Sequence, residues 1–216
     1  MVIKDSGRQD LEITRRRQPQ QERAKDSIER ILDAAAELLV EDGLQAFNTN
    51  AVADRAGVNI GTLYRYYRDK NAILIDLYAR HGAEIQAWLD AMADHLAQTE
   101  SIQDWAQAFV AGSLELRRQW PERSMIRRVC HLVPELAQAE RLVDDAVAES
   151  LGEGIHRRFE GLSKERCRLA AFAIMATVEN IADVSLLNEG DDLSHTVEEV
   201  PVVVMSYLNA LNPEAA

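Results

Sequence analysis

The sequence predicts an all-α fold, and three observations support that prediction. The prolines are Pro19, Pro121, Pro134, Pro201 and Pro213. Residues 20–120 therefore lack the residue that breaks helices most strongly. From position 28, apolar residues recur at the spacing of one helix face. The run at 200–204 has strand composition but no second run to pair with, so we expect a kinked helix there.

The first two helices are predicted from apolar spacing and capping residues. Apolar residues at 28, 31, 32, 35, 38 and 39 define the first helix, which should stop at Gly43. A cap at Thr49 or Asn50 should start a second helix that runs through Arg55. The second helix is therefore short, and a break at 56–59 separates it from the next segment.

The remaining helices differ in length. The third covers residues 60–66, and Asp69 should cap a fourth that runs for roughly 40 Å at 1.5 Å per residue. A helix of that length is able to join two domains. Five further helices are predicted to begin at or near Ser101, Pro121, Pro134, Ser163 and Ser194. The helix from Pro134 is expected to weaken at Gly152 and Gly154.

Charge is distributed unevenly along the chain. It has 24 Lys and Arg against 36 Asp and Glu, a formal net charge of -12 that, taken alone, argues against nucleic acid as a partner. Residues 1–70 carry 12 of each sign, so the whole surplus lies in residues 71–216. Residues 1–22 are polar and lean basic, which indicates a mobile basic arm. We therefore divide the chain into this arm, a domain at 23–68 and a domain at 69–216.

Several classes of protein are excluded by what the sequence lacks. There is no run of about 18 apolar residues, no apolar leader and no disulfide framework, so we expect a soluble cytoplasmic protein without a membrane partner. The cysteines and histidines at 130, 131, 156 and 167 lack the spacing of a metal site. No phosphate-binding or dinucleotide-binding glycine motif occurs. We therefore predict no enzyme, no cofactor and no metal.

Two short predicted helices joined at Gly57 have the layout of a helix-turn-helix. Glycine readily takes the left-handed conformation that such a turn requires. Apolar residues are expected to pack inward onto the first helix, namely Val52, Ala53, Ala56, Val58, Ile60 and Leu63. Hydroxyl, guanidinium and ammonium groups would remain outward, where they can donate to phosphates and base edges. A helical hairpin with idle exposed tyrosines is the alternative that the pattern alone leaves open.

Residues 49–70, TNAVADRAGVNIGTLYRYYRDK, closely resemble the DNA-binding domain of TetR/AcrR-type transcriptional repressors. The resemblance extends over residues 25–75 and is specific in Ala-Gly-Val, Gly-Thr-Leu-Tyr and Tyr-Tyr-x-x-Lys at the family's spacing. It implies an all-helical subunit, a homodimer and a C-terminal domain that senses a small molecule. It also implies that the protein binds double-stranded DNA and represses transcription.

The resemblance assigns DNA contacts residue by residue. Thr49 would contact a phosphate at the start of the second helix, and Lys70 would hold another at the start of the fourth. The residues in or beside the major groove would be Asn59, Gly61, Thr62, Tyr64, Arg65 and Tyr66. Tyr67 would be a buried aromatic, and Asn59-Ile60 departs from the Ser or basic residue of many relatives. Arg65 is the expected base reader because a guanidinium bridges guanine O6 and N7.

Sequence-specific binding by so small a motif favours a homodimer. One recognition helix reads few base pairs, so specificity requires two helices about 34–36 Å apart over a palindromic operator. The helices at 163–187 and 194–211 are expected to pair with their copies as a four-helix bundle. Small residues would let them approach closely, namely Ala170, Ala171, Ala173 and Ala176. Residues 15–17, all arginine, form either a minor-groove arm or a solvated tail.

Aromatic and sulfur side chains define the candidate ligand pocket. They are Trp88, Met92, Trp105, Phe109, Trp120, Met125, Phe172 and Met175. Most residues of these types are simply core. A group of arginines lies within the acidic domain, at Arg117, Arg118, Arg123, Arg127 and Arg128. They either pair with local carboxylates and helix C-termini or receive an anionic effector.

Two functions of different classes remain. The first is a sequence-specific DNA-binding transcriptional regulator, a repressor that a small-molecule effector releases from its operator. The long fourth helix would couple the two sites, because it begins at Lys70 and runs to Trp88 and Met92. The alternative is a helical small-molecule binding protein whose helix-turn-helix serves protein contact or is vestigial. Steep salt dependence of DNA binding is expected only from the first.

Overall fold

The computed structural model describes residues 22–187 and 192–211. Within these residues the regular elements are helices, which confirms the all-α prediction. The predicted arm at 1–22 lies outside the described residues apart from position 22, where the first helix begins. Among the described residues, none of the helices is long and apolar enough to cross a lipid bilayer.

The described part of the chain forms ten α-helices and two 3₁₀ helices. The α-helices are α1 (Glu22–Ala46), α2 (Thr49–Arg55), α3 (Ile60–Tyr66), α4 (Lys70–Ala79), α5 (Gly82–Gln98), α6 (Ile102–Gln119), α7 (Pro121–Arg127), α8 (Pro134–Arg158), α9 (Lys164–Leu187) and α10 (Val200–Leu211). The 3₁₀ helices are Cys130–Leu132 and Asp192–Glu199.

These helices form two compact units. The first comprises the described residues up to Gly82 together with residues 120–142, and the second comprises residues 83–119 together with the described residues from Val143. In the first unit, α1 packs against α2, α4 and α7, and α2 packs against α3. In the second, α10 packs against α6 and α9.

The first helix buries the face that its sequence predicts. The six apolar residues of that face are at most 4% exposed, namely Ile28, Ile31, Leu32, Ala35, Leu38 and Leu39. Gly43 has a φ of 74° and leaves the helical conformation, as predicted. Because a positive φ is strained for other residues, glycine permits the chain to change direction before α2.

The short helices are capped by polar side chains. Oδ1 of Asn48 accepts the N–H of Ala51 at 3.0 Å and caps α2, so the predicted cap at Thr49 or Asn50 is wrong. The run at 48–50 consists of residue types that all cap well, so sequence alone does not choose among them. Asp69 caps α4 as predicted, through a hydrogen bond of 2.9 Å to a backbone N–H of the first turn.

The predicted long fourth helix is interrupted. α4 ends at Ala79, and α5 begins at Gly82. The backbone N–H of Arg80 donates to Leu77 O at 3.2 Å, the three-residue spacing of a 3₁₀ turn. The Arg80 guanidinium also bonds carboxylates of α1, at 2.9 Å to Glu29 and 2.5 Å to Asp33. Ion pairs of this kind leave no trace in apolar spacing, which is why the prediction missed the break.

In the second unit, α8 is continuous through the two glycines at which it was expected to weaken. A Cβ on Gly154 would lie 2.7 Å from Ala93 O, and a Cβ on Gly152 would lie 3.1 Å from Arg168 Cα. Glycine therefore lets the backbone of α8 approach α5 and α9 closely. The prediction was wrong because packing between helices outweighs the weak helix propensity of glycine.

The C-terminal helix also differs from its prediction. Residues 192–199 form a 3₁₀ helix, so the α-helix does not begin at Ser194. Pro201 is the second residue of α10, where the missing N–H would have had no intrahelical partner. The run at 200–204 is therefore helical, as expected, and its proline lies in the first turn instead of producing a kink.

Candidate nucleic-acid interface

A tight turn at Gly57 joins α2 to α3. Gly57 has a φ of 62°, and the N–H of Val58 donates to Ala53 O at 3.0 Å. Val52 and Leu63, one from each helix, are fully buried. The arrangement is the predicted helix-turn-helix, and it leaves the opposite faces of both short helices exposed.

Two of the residues predicted to pack inward do so less than expected. Val58 is only half-buried, and Ile60 is 36% exposed, so its predicted inward packing is wrong. Ile60 is the first residue of α3, where the chain has just left the turn. At this position the Ile60 side chain is therefore only partly covered by neighbouring residues.

Asn59 and Gly61 form the N-terminus of α3. Oδ1 of Asn59 accepts the N–H of Gly61 at 2.7 Å, so Asn59 is the N-cap. A Cβ at Gly61 would lie 3.1 Å from that same oxygen, which favours glycine there. The side-chain carbonyl of Asn59 is used by the cap. Its side-chain NH₂ group is therefore the part of Asn59 that could donate to DNA. Thr62 follows in the first turn and is half-buried.

Thr49 and Tyr64 are brought together from the two short helices. Thr49 Oγ1 and the Tyr64 hydroxyl are 3.0 Å apart and share a hydrogen bond. Thr49 is the first residue of α2, and Tyr64 is 39% exposed. Two predicted DNA contacts therefore share one surface, although 15 residues separate them in the chain.

Arg65 and Tyr66 form a second pair on α3. Nη2 of Arg65 donates to the Tyr66 hydroxyl at 2.9 Å, and the guanidinium carbon lies 4.9 Å from the centroid of the Tyr66 ring. Arg65 is exposed, whereas Tyr66 is only 4% exposed. The prediction that Tyr66 lies in or beside the groove does not fit this burial, because its ring belongs to the core.

Tyr67 and Lys70 complete the predicted set. Tyr67 is fully buried, as expected, and its hydroxyl donates to Asp76 Oδ2 at 2.6 Å. Lys70 is the first residue of α4 and is exposed. The members of the set that combine a partly or fully exposed side chain with a hydroxyl or cationic group are thus Thr49, Thr62, Tyr64, Arg65 and Lys70.

Arg55 contributes a connection that the sequence reasoning missed. Its guanidinium lies 2.5 Å from Glu41 and 3.0 Å from Asp42, the two residues before the turn at Gly43. The hydrogen bond to Glu41 raises the pKa of Arg55 above its ordinary value. These bonds connect the end of α2 to the end of α1. The adjacent acidic residues were visible in the sequence, but their spacing from Arg55 follows no local period.

Five of the eight predicted pocket residues lie in or against the core of the second unit. They are Trp88, Met92, Trp105, Phe109 and Met175. The Phe109 ring stacks between two indoles, with centroids 5.2 Å from Trp88 and 4.8 Å from Trp105. Nε1 of Trp105 donates to Met92 O at 2.8 Å. The aromatic set is therefore one packed cluster.

The other three do not join that cluster. Trp120 and Met125 belong to the first unit, and Phe172 is 51% exposed on α9. The face of α9 that is buried within the unit includes Ala170 and Ala171, and Phe172 lies outside that face. The inclusion of Phe172 in a pocket is therefore wrong.

Trp120 instead stacks on His81 within the first unit. The two rings are 4.2 Å apart and nearly parallel. Nε2 of His81 lies 3.7 Å from Glu122 Oε1, and Glu122 is 6% exposed. Burial raises the pKa of Glu122 above its ordinary value, although the charges of Arg80 and Arg123 oppose the shift. This cluster lies where the chain leaves the first unit and returns to it.

Two arginines of the predicted cluster pair with local carboxylates. Nε of Arg117 lies 3.4 Å from Asp183 Oδ1 within the second unit. Nε of Arg127 lies 3.2 Å from Glu140 Oε1 within the first unit. All four side chains are largely buried. These pairs support local neutralisation, one of the two interpretations that the sequence left open.

The other three arginines are arranged differently. Arg123 donates to the carbonyl of Tyr78 in the last turn of α4, and its guanidinium lies 4.1 Å from the centroid of the Tyr78 ring. Arg123 thus closes a helix C-terminus, as that interpretation also anticipated. Arg118 and Arg128 are exposed. Arg117 and Arg118 thus belong to the second unit, and Arg123, Arg127 and Arg128 belong to the first.

Comparison with protein families decides the identity of the fold. Residues 31–77 match the family described as bacterial regulatory proteins, tetR family. Residues 101–208 match the tetracyclin repressor-like C-terminal domain. The chain belongs to the TetR family. The matched models describe regulatory proteins, and this membership favours the regulator over the vestigial alternative.

Curated relatives agree with this assignment. The chain is 31% identical to the HTH-type transcriptional repressor KstR of Mycobacterium tuberculosis over 142 residues, which are 62% of this chain and 61% of that protein. It is 42% identical to the fatty acid metabolism regulator protein of Bacillus subtilis over 48 residues, which are 22% of this chain and 25% of that protein. The chain therefore spans less than two thirds of these relatives.

Solved structures share the fold over most of the chain. A TetR-family transcriptional regulator from Streptomyces coelicolor has a TM-score of 0.61 and 23% identity, and covers 85% of this chain and 98% of its own. FadR from Bacillus subtilis, solved in complex with stearoyl-CoA, has a TM-score of 0.61 and 21% identity, over 83% of this chain and 98% of its own. At these identities the likeness concerns the fold.

Proposed function

We propose that this TetR-family protein is a homodimeric repressor that binds a palindromic operator and is released by a small-molecule effector. Residues 23–68 would read DNA, and residues 69–216 would dimerise and bind the effector. The observation that carries the proposal is the hydrogen bond of 3.0 Å between Thr49 and Tyr64. It joins the two short helices on one surface, and Arg65 extends from the same helix as Tyr64.

Lys70 supports a phosphate contact on electrostatic grounds. It is exposed at the first position of α4, where the helix dipole disfavours a cation. A DNA phosphate at that end would be stabilised by the ammonium group and by the N–H groups of the first turn. Thr49 has the equivalent position on α2, so the two phosphate contacts would lie at two helix N-termini.

Arg65 and Lys70 would make different kinds of contact, and two variants separate them. Arg65→Ala should lose about 1–3 kcal/mol on the operator and relax the preference at one base pair, with little loss on random DNA. Lys70→Ala should weaken binding to both duplexes by the same factor. It should also reduce the slope of log affinity against log salt by about one. Fluorescence anisotropy over a salt series, on a duplex selected from a random pool, measures both effects.

Equal losses on operator and random DNA from Arg65→Ala would remove its role as base reader. If the wild-type protein bound neither duplex at low salt, the alternative would be favoured. In that case the protein would be a helical small-molecule binding protein, and its helix-turn-helix would contact protein or be vestigial.

An exposed apolar surface on the last two helices supports the homodimer. On α9, Leu169 and Phe172 are 52% and 51% exposed. On α10, Val202 and Val203 are 51% and 47% exposed. The two helices pack against each other, so their copies can complete a four-helix bundle across a two-fold axis. Large apolar side chains that stay exposed on two helices in contact favour a protein interface.

The small residues of α9 fit this bundle only in part. Ala170 and Ala171 are fully buried within the subunit, so they do not let a partner approach. Ala173 is exposed and Ala176 is half-buried. These two, with Phe172, would lie in the interface.

A charge introduced into this surface should separate the subunits. We expect the wild-type protein to sediment as a dimer at micromolar concentration and Phe172→Arg to sediment largely as a monomer, because an unpaired guanidinium would be buried. Leu132→Arg is the matched control, since Leu132 is 68% exposed on the first unit. A monomeric wild-type protein, or a dimer unaffected by Phe172→Arg, would contradict the proposed interface.

Effector release would follow from differential affinity. The effector would bind more tightly to a dimer whose recognition helices are wrongly spaced for the operator. The stacked cluster of Trp88, Trp105 and Phe109 is the candidate wall of its pocket. The break at Arg80 divides the proposed coupling element into α4 and α5, so coupling would depend on two helices instead of one.

A further inference from the structure

We infer that Tyr66 is a positioning residue for base recognition, which acts through Arg65 without touching DNA itself. This inference rests on the proposed function, in which Arg65 reads a guanine. The phenol of Tyr66 would hold the Arg65 guanidinium in the orientation that bridges a base edge. Tyr66 would thereby set the base preference of the helix-turn-helix.

The ring of Tyr66 is held in the core, whereas the side chain of Arg65 is exposed. Tyr66 is 4% exposed, so core packing restricts its ring. Nη2 of Arg65 donates to the Tyr66 hydroxyl at 2.9 Å, and the guanidinium carbon lies 4.9 Å from the ring centroid. One guanidinium N–H is used by the phenol, and the others remain to bridge the two acceptors of a guanine.

A tether of this kind matters because arginine is a long side chain. An unrestrained arginine loses rotamer freedom when it orders against a base, and that loss weakens specific binding. A side chain already held by a hydrogen bond and a ring contact has lost part of this freedom before DNA arrives. The tether should therefore act on the specific complex and leave attraction to random DNA nearly unchanged.

The neighbouring tyrosines have other partners, which makes the pairing with Arg65 particular to Tyr66. The Tyr64 hydroxyl bonds Thr49 on the exposed face. The Tyr67 hydroxyl donates to the half-buried Asp76 of α4. Tyr67 is buried like Tyr66, but its bond to Asp76 connects it to α4 instead of to the recognition surface. It is therefore a matched control for the loss of a buried hydroxyl.

The test uses the full-length protein and a duplex selected by it from a random pool. Tyr66→Phe keeps the ring and removes the hydroxyl. We expect its preference for the base pair that Arg65 reads to fall about 3- to 10-fold, the effect of one hydrogen bond, with affinity for random DNA unchanged. Tyr67→Phe should leave that preference as it is. Thermal unfolding followed by circular dichroism shows whether each variant is folded.

A double-variant cycle separates tethering from a direct contact. In an Arg65→Ala background, Tyr66→Phe should have no further effect on base preference. If Tyr66→Phe weakened binding to operator and random DNA by the same factor, or changed base preference even in the Arg65→Ala background, Tyr66 would not act through Arg65. In either case the inference would be overturned. A wild-type protein with no preference between operator and random DNA would overturn the proposed function, and the inference with it.

A measurement on the unmodified protein tests the tether independently of any variant. Nitrogen relaxation at Nε of Arg65 should give an order parameter typical of a restrained group, about 0.8. The exposed Arg118 should give a value below about 0.6 in the same sample. If Arg65 were as mobile as Arg118, the tether would be absent in solution and the inference would be wrong.

Discussion

The helix-turn-helix and the second unit are stabilised in different ways. The short helices α2 and α3 have seven residues each, too few to be stable alone in water. They bury Val52 and Leu63, and they are further fixed by caps at Asn48 and Asn59 and by the bonds of Arg55 to the end of α1. The helices of the second unit are longer and meet through an apolar core, with glycines where backbones approach closely.

This contrast fits the two tasks in the proposed function. Polar bonds at the surface hold the short helices while leaving hydroxyl, amide and guanidinium groups exposed to DNA. Close apolar packing suits a domain that would bind its effector in an interior pocket. A substitution should therefore cost most where backbones touch in the second unit and less where a single cap holds a short helix.

The largest effect is expected at Gly154. A Cβ there would meet the backbone of Ala93 at 2.7 Å and 2.8 Å, and backbone atoms cannot move aside cheaply. Gly154→Ala should lower the free energy of unfolding by about 1–3 kcal/mol, even though alanine favours helices. Urea unfolding followed by circular dichroism measures the loss.

Gly82→Ala is the control for this comparison. Nothing lies within 4 Å of the position that its Cβ would take. Its free energy of unfolding should be unchanged or slightly higher than that of the wild-type protein. If Gly82→Ala and Gly154→Ala lowered the free energy of unfolding equally, close packing against Ala93 would not be the reason for glycine at position 154.

A smaller effect is expected at the cap of α2. Asn48→Ala removes the bond to the N–H of Ala51 and should cost about 1 kcal/mol. Asn50→Ala, two residues later on an exposed position, should change the free energy of unfolding by less than about 0.5 kcal/mol. The same urea experiment compares them. If Asn50→Ala lowered the free energy of unfolding as much as Asn48→Ala, the cap at Asn48 would be contradicted and the sequence-based prediction of Thr49 or Asn50 would be favoured.

The same contrast explains what could be predicted from the sequence. The bounds of α3, the turn at Gly57 and the cap at Asp69 follow from residue types with strong local preferences, so all three were predicted. The buried face of α1 followed from apolar spacing. These features depend on residues close together in the chain.

The features that escaped prediction depend on contacts between distant residues. The break after α4 involves Arg80 and carboxylates of α1, and the continuity of α8 involves Gly154 and Ala93. The burial of Tyr66 likewise follows from tertiary packing. Apolar spacing and capping preferences carry no information on which distant residues meet, so these could not be predicted.

In the proposed function, two copies of the α2–α3 surface read one operator. Footprinting of the wild-type protein on its selected duplex shows whether one or two half-sites are protected. We predict two protected half-sites related by a dyad, with centres about 34–36 Å apart along the DNA. Protection of a single half-site, or no protection at low salt, would contradict the claim.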